Sequence, residues 1–111
     1  MESTTELTRK KCVPCEGGVP KLGEEAACSL MPQVPGWEVK DEKLHRTFTF
    51  ADFKEAMGFV NRMADVAEEE GHHPDFAVHW NRVEVTLWTH AIGGLSENDF
   101  ILAAKLNPLA D

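Results

Sequence analysis

Apolar residues recur along this chain with two different periods. Between Asp52 and Gly71, the residues Phe53, Ala56, Met57, Val60, Met63, Ala64 and Ala67 form one stripe at the 3.6-residue repeat, which predicts a long amphipathic helix. Asp52 is placed to cap its start, with Glu55 completing a capping-box-like pair, and Gly71 to end it in the left-handed conformation. Alternation with period two marks strands on both sides of this helix. Trp37-Glu38-Val39 and the run from Leu44 to Phe50, joined at Asp41-Glu42, predict a hairpin with Phe48 and Phe50 on one face and Thr47 and Thr49 on the other. Phe76, Val78 and Trp80, followed by Val83, Val85 and Leu87, predict a second hairpin that turns at Asn81-Arg82. A short helix is expected from Gly23 to Met31, stopped by Pro32 and Pro35. A last one is expected from about Glu97 to Leu106, where Ser96 and Asp99 form a capping box.

The predicted order is α-β-β-α-β-β-α. Two hairpins bracketing one long helix imply an α+β domain: a four-stranded antiparallel sheet with the helices packed on one face. The domain is expected over residues 22–111. Residues 1–21, with two prolines, two glycines and no periodicity around Cys12-Val13-Pro14-Cys15, read as a flexible N-terminal arm. A small sheet with an uncovered face and edge is a candidate for pairing with a second copy.

Composition narrows the function. With 111 residues and 42% hydrophobic content the chain can build a core. Eleven Lys and Arg against nineteen Asp and Glu give a formal charge of −8, a surface that repels phosphate backbones and argues against nucleic-acid binding. No apolar run approaches the roughly 18 to 20 residues that span a bilayer, and the polar, acidic start does not suit a secretory signal. Three cysteines, an odd number, fit a reducing compartment, so a cytoplasmic location is expected. The Cys12–Cys15 pair supplies only two of the four ligands of a structural zinc, and Cys28 would be a third at an uncommon spacing. A catalytic metal on His72, Glu68 and His90 is disfavoured because adjacent histidines usually point apart. No metal is expected, and none of the common nucleotide-binding or hydrolase motifs occurs.

Histidine is the informative residue, because it exchanges protons near neutral pH. Four of the five lie between positions 72 and 90, two of them adjacent in His72-His73-Pro74-Asp75. Upstream, Glu68-Glu69-Glu70 crowds the C-terminal turn of the long helix, where the helix dipole prefers cations. Glu68 lies four residues before His72, the spacing at which a carboxylate can reach an imidazole over one turn and fix its tautomer. His90 stands at the end of the last strand, before Gly93-Gly94, where active groups gather on small scaffolds. His45 and His79 read as ordinary hydrogen-bonded residues. Trp80 and Trp88 offer faces for stacking on a flat heterocycle, and Asp99 has its capping duty.

Taken together, Glu68-x3-His72-His73-Pro74, the aromatic Trp80, Thr89-His90 and Gly94-Leu95-Ser96-Glu97-x-Asp99 resemble the signature of the pterin-4a-carbinolamine dehydratases, the 4a-hydroxytetrahydrobiopterin dehydratases. Pro35-Gly36-Trp37, Phe48-x-Phe50-x-Asp52-Phe53 and Asn81-x-Val83 extend the likeness, which covers about residues 22–106. The resemblance implies loss of water from 4a-hydroxytetrahydropterin to give quinonoid dihydropterin, recycling the cofactor of aromatic amino acid hydroxylases. It implies His72, His73, His90 and Glu68 as catalytic residues, with Glu68 orienting His72. It implies His73, Trp80, Trp88, Thr89 and Asp99 as substrate-binding residues. No metal or organic cofactor is implied, since the pterin is itself the substrate. The family pairs as homodimers, often assembled to homotetramers. The alternative is a binding module of the same fold, since relatives serve as a dimerisation cofactor for a homeodomain transcription factor or as RuBisCO assembly factors; on either reading a hydroxylase or RuBisCO is a candidate protein partner. A protein kept only for binding has no chemical need for four such residues together.

Overall fold

The computed structural model describes residues 22–110; the arm with Cys12 and Cys15 lies outside the described residues. Seven elements follow in the predicted order: α1 (Glu24–Leu30), β1 (Glu38–Lys40), β2 (Lys43–Thr49), α2 (Phe53–Glu70), β3 (Asp75–His79), β4 (Arg82–Leu87) and α3 (Glu97–Leu106). The strands form one antiparallel sheet in the order β1-β2-β4-β3.

The register of the sheet sorts its side chains between two faces. Leu44 lies opposite Leu87 and Phe48 opposite Val83, and with Val85 these residues are buried under the helices. Thr47 pairs with Glu84 and His45 with Thr86 on the other face, which carries mostly polar side chains and, among the described residues, no helix. The helices supply Ala56, Phe59, Val60, Met63, Phe100, Leu102 and Leu106 to the same core. Apolar area removed from water on this one face is the main force holding the layers together.

The apolar stripe of α2 differs from the predicted one at three positions. Phe59 is fully buried, whereas Phe53 is 52% exposed and Ala64 is exposed. Phe59 is drawn in because its ring packs against Phe48 and Phe50, with centroids 4.5 and 5.2 Å away. The second hairpin turns one residue earlier than predicted, at Trp80-Asn81, because His79 pairs with Arg82 and Val78 with Val83. Asn81 is tied to the residue that follows β2: its carbonyl accepts from Phe50 N–H at 2.8 Å and its Nδ2 donates to the Phe50 carbonyl at 2.9 Å. In the first hairpin both turn residues, Asp41 and Glu42, adopt positive φ near 55–59°, the geometry a two-residue antiparallel turn demands.

Pro35-Gly36-Trp37 anchors the domain near its C-terminus. Asn107 Oδ1 accepts from Trp37 Nε1 at 2.7 Å and from an Arg46 guanidinium nitrogen at 2.6 Å. Gly36, at φ +91°, lets that guanidinium pass 2.7 Å from where a Cβ would stand.

Candidate functional site

The site begins where α2 stops. Asp52 accepts from Glu55 N–H at 2.8 Å at the start of this helix, while Gly71 at its end takes the left-handed conformation at φ 68°. The Gly71 and His72 N–H groups both donate to the Ala67 carbonyl. This reversal turns the chain out of the helix, so the residues after Gly71 no longer follow helical spacing.

The consequence is a correction to the expected pairing. Glu68 does not reach His72; it accepts from His73 Nε2 at 2.7 Å, in an exposed pair. His72 turns inward instead. Its Nε2 lies 2.6 Å from Asp99 Oδ1, with the histidine side chain 8% exposed and the aspartate fully buried. A carboxylate in this pair accepts only, so Nε2 carries the proton and neutral His72 has its lone pair on Nδ1.

Asp99 is held by three donors. Besides His72, the Ser96 N–H and the Thr89 hydroxyl each donate to Oδ2 at 2.9 Å. Ser96 Oγ bonds Thr89 Oγ1 at 2.8 Å and accepts from Asn98 N–H at 3.2 Å, completing the expected capping box. Asp99 therefore serves the helix cap and the histidine with the same carboxylate. Thr89 and Asp99, expected to bind substrate, are both 0% exposed and bonded to each other.

His90 follows Thr89 directly. Thr89 closes an isolated bridge with Gly94, and a 3-10 turn over His90–Ile92, ended by Gly93 at φ 64°, leaves His90 exposed. Asp75, at the start of β3, brings Oδ2 within 3.9 Å of His90 Nε2 and accepts from Trp88 Nε1 at 3.2 Å. The Trp88 and His90 rings pack at 4.0 Å between centroids with their planes tilted by 35°, and Lys43 Nζ lies 4.4 Å from the indole centroid. His72 and His90 are thus linked through Asp99 and Thr89, and again through Asp75, three residues beyond His72. Both belong to one end of the sheet. Trp80 does not join them: it is 67% exposed at the opposite end of β3, about 17 Å along the strand from Asp75.

Two groups escaped the sequence reading. Asp75 stands in the His-His-Pro-Asp run, yet its approach to His90 depends on strand pairing. Glu70, the last of the three clustered glutamates, is buried against Lys105 Nζ at 2.6 Å. With Glu68 on His73, two of the three carboxylates that offend the helix dipole have cationic or proton-donating partners. Among the described residues no group of three or more His, Cys, Asp or Glu is arranged to hold a metal ion, and no helix is long and apolar enough to cross a membrane.

Chemically, the arrangement is a set of three imidazoles, each facing a carboxylate through Nε2. Such a set can give and take protons around a small ligand. Comparison with known proteins agrees with that character. The chain matches the sequence profile of the family described as pterin 4 alpha carbinolamine dehydratase over residues 20–109. It is 53% identical over 106 residues to a Rubrobacter xylanophilus protein that carries this dehydratase's name, covering 95% of the chain and 99% of that relative. It is 48% identical over 113 residues to pterin-4-alpha-carbinolamine dehydratase 2, mitochondrial, of Arabidopsis thaliana, covering 96% of the chain and 60% of the plant protein. Among solved structures, a transcriptional coactivator/pterin dehydratase from Brucella melitensis superposes with a TM-score of 0.80 at 37% identity, covering 83% of this chain and all of that one. A pterin dehydratase-like protein described as a RuBisCO assembly factor in the alpha-carboxysome superposes at 0.56 with 27% identity, covering 67% of this chain and 86% of its own. The α+β fold, the histidine signature and the near full-length similarity carry one conclusion: this chain belongs to the pterin-4-alpha-carbinolamine dehydratase family.

Proposed function

We propose that this chain is a hydro-lyase that dehydrates 4a-hydroxytetrahydropterin by histidine acid–base catalysis, regenerating the quinonoid dihydropterin of an aromatic amino acid hydroxylase cycle. The C4a–O bond breaks as a protonated histidine delivers its proton to the departing hydroxyl, which leaves as water. N5 loses its proton to a neutral histidine, and the N5–H electron pair becomes the new N5=C4a bond. The buried His72–Asp99 pair carries this reading. It presents an Nδ1 lone pair in the neutral form and an Nδ1 proton in the charged form, as either half of the reaction requires. His90 is the partner acid or base, and His73, held by Glu68, binds substrate beside them. Proton transfer of this kind calls on no metal or organic cofactor. Homodimers or homotetramers are the expected assembly, for which exposed Phe76 on the outer strand and Phe53 on α2 supply apolar surface.

The test is a direct assay. Quinonoid dihydropterin is followed spectroscopically from freshly made 4a-carbinolamine, with and without protein. We expect acceleration by wild type and a loss of about 10²- to 10⁴-fold in His72→Ala, the usual worth of one general acid or base. Folded wild-type protein that leaves the rate at the buffer value overturns the reading. The likeness to the RuBisCO assembly factor favours a second reading, a binding module, which a stable RuBisCO complex without dehydration would establish.

A further inference from the structure

Exposed histidine–carboxylate pairs are common and contribute little, being screened by solvent and opposed by side-chain entropy. His79 and Glu84, 3.5 Å apart and both half-exposed, are such a pair. Asp75 and His90 are comparably exposed and slightly farther apart, at 3.9 Å. What sets them apart is the indole between them. Trp88 Nε1 donates to the same Asp75 oxygen, Oδ2, that faces His90 Nε2. The His90 ring in turn lies on the Trp88 ring at 4.0 Å and 35°. The three side chains close a triangle in which each restrains the other two.

We propose that Asp75 is a positioning residue for His90: anchored by the Trp88 indole N–H, its carboxylate draws Nε2 toward the strand and so sets how the imidazole is presented to the ligand. An exposed histidine at the start of a 3-10 turn otherwise has free rotation about two side-chain bonds. The inference rests on the dehydratase reading above, in which His90 exchanges a proton with the pterin. It assigns Asp75 and the indole N–H a task in that reaction. Trp88 then acts as a scaffold for His90 as well as a surface near the substrate.

The experiment is a double-mutant cycle in the dehydration assay with the full chain. Asp75→Asn keeps the shape of the side chain and removes its charge. We expect kcat to fall about tenfold with KM within twofold, the lower part of the range for groups that orient a functional histidine. In a His90→Ala background the same substitution is expected to lower kcat by less than twofold, because its effect runs through the missing ring. Glu84→Gln, which strips the exposed pair at His79, leaves kcat unchanged. The Trp88 indole ¹H–¹⁵N resonance, assigned by its loss in Trp88→Phe, is expected to shift in Asp75→Asn. A kcat for Asp75→Asn within twofold of wild type, an equal tenfold loss in the His90→Ala background, or a His90→Ala enzyme with full kcat each overturns the proposal while the activity itself stands. A folded wild-type protein with no dehydratase activity removes the reading and the proposal together.

Discussion

The substitution that separates the roles of Asp99 most cleanly is Asp99→Asn. Its carboxylate faces two kinds of donor: at Oδ2 the fixed Ser96 N–H and the rotatable Thr89 hydroxyl, at Oδ1 the His72 ring nitrogen. An amide must put its NH₂ group at one of these places. Toward Ser96 it would set donor against donor, stranding a buried backbone N–H at about 1–3 kcal/mol. Toward His72 the conflict is relieved by moving the imidazole proton from Nε2 to Nδ1, since either tautomer is available to the neutral ring. The second arrangement is therefore favoured. The capping box survives, and the loss of stability is about 1–2 kcal/mol, the difference between a charge-assisted and a neutral hydrogen bond. The catalytic consequence is larger. The lone pair of neutral His72 now points at the amide, and Nδ1 can no longer accept a proton. In a buried Asp–His pair of this type the wrong tautomer lowers kcat by up to about 10⁴, and we expect a loss of 10²- to 10⁴-fold, or about 2.7–5.4 kcal/mol at 1.36 kcal/mol per tenfold. Urea unfolding followed by circular dichroism gives the stability, and the carbinolamine assay gives kcat. A folded Asp99→Asn protein with kcat within threefold of wild type would refute the reasoning, and so would a variant that is inactive only because it is unfolded.

The other predictions are smaller in scope. Glu68→Gln removes an exposed partner of His73 and leaves His72 on Asp99, so kcat is expected to fall less than tenfold with stability changed by about 0.5 kcal/mol or less; a loss matching that of His72→Ala would show that Glu68 acts on His72 after all. Phe59→Ala is expected to destabilise by about 3–5 kcal/mol, since the ring is fully buried against Phe48 and Phe50, whereas Phe53→Ala, at a half-exposed ring, costs under about 1 kcal/mol in the monomer. Equal denaturation midpoints for the two would contradict the packing described. Removing residues 1–20 is expected to spare catalysis, because the His72–Asp99 and His90–Asp75 pairs are complete within residues 72–99; collapse of activity in a folded truncation would make the arm part of the site.

Local rules and tertiary contacts divide this protein between them. Sequence alone determined the order of elements, because period 3.6 and period two are properties of single segments facing one core. It also determined both ends of α2 and the start of α3, because Asp52, Gly71 and the Ser96–Asp99 box act within a few residues of themselves. The histidine cluster could be seen as a group for the same reason. Which carboxylate serves which histidine could not. The four-residue spacing from Glu68 to His72 signifies contact only while the helix continues, and Gly71 reverses the chain before His72 is reached. His72 therefore meets Asp99, 27 residues on, and His90 meets Asp75 through strand pairing, 15 residues back. Those partnerships depend on how α3 and β3 pack against the ends of α2 and β4, and packing is a property of the folded whole.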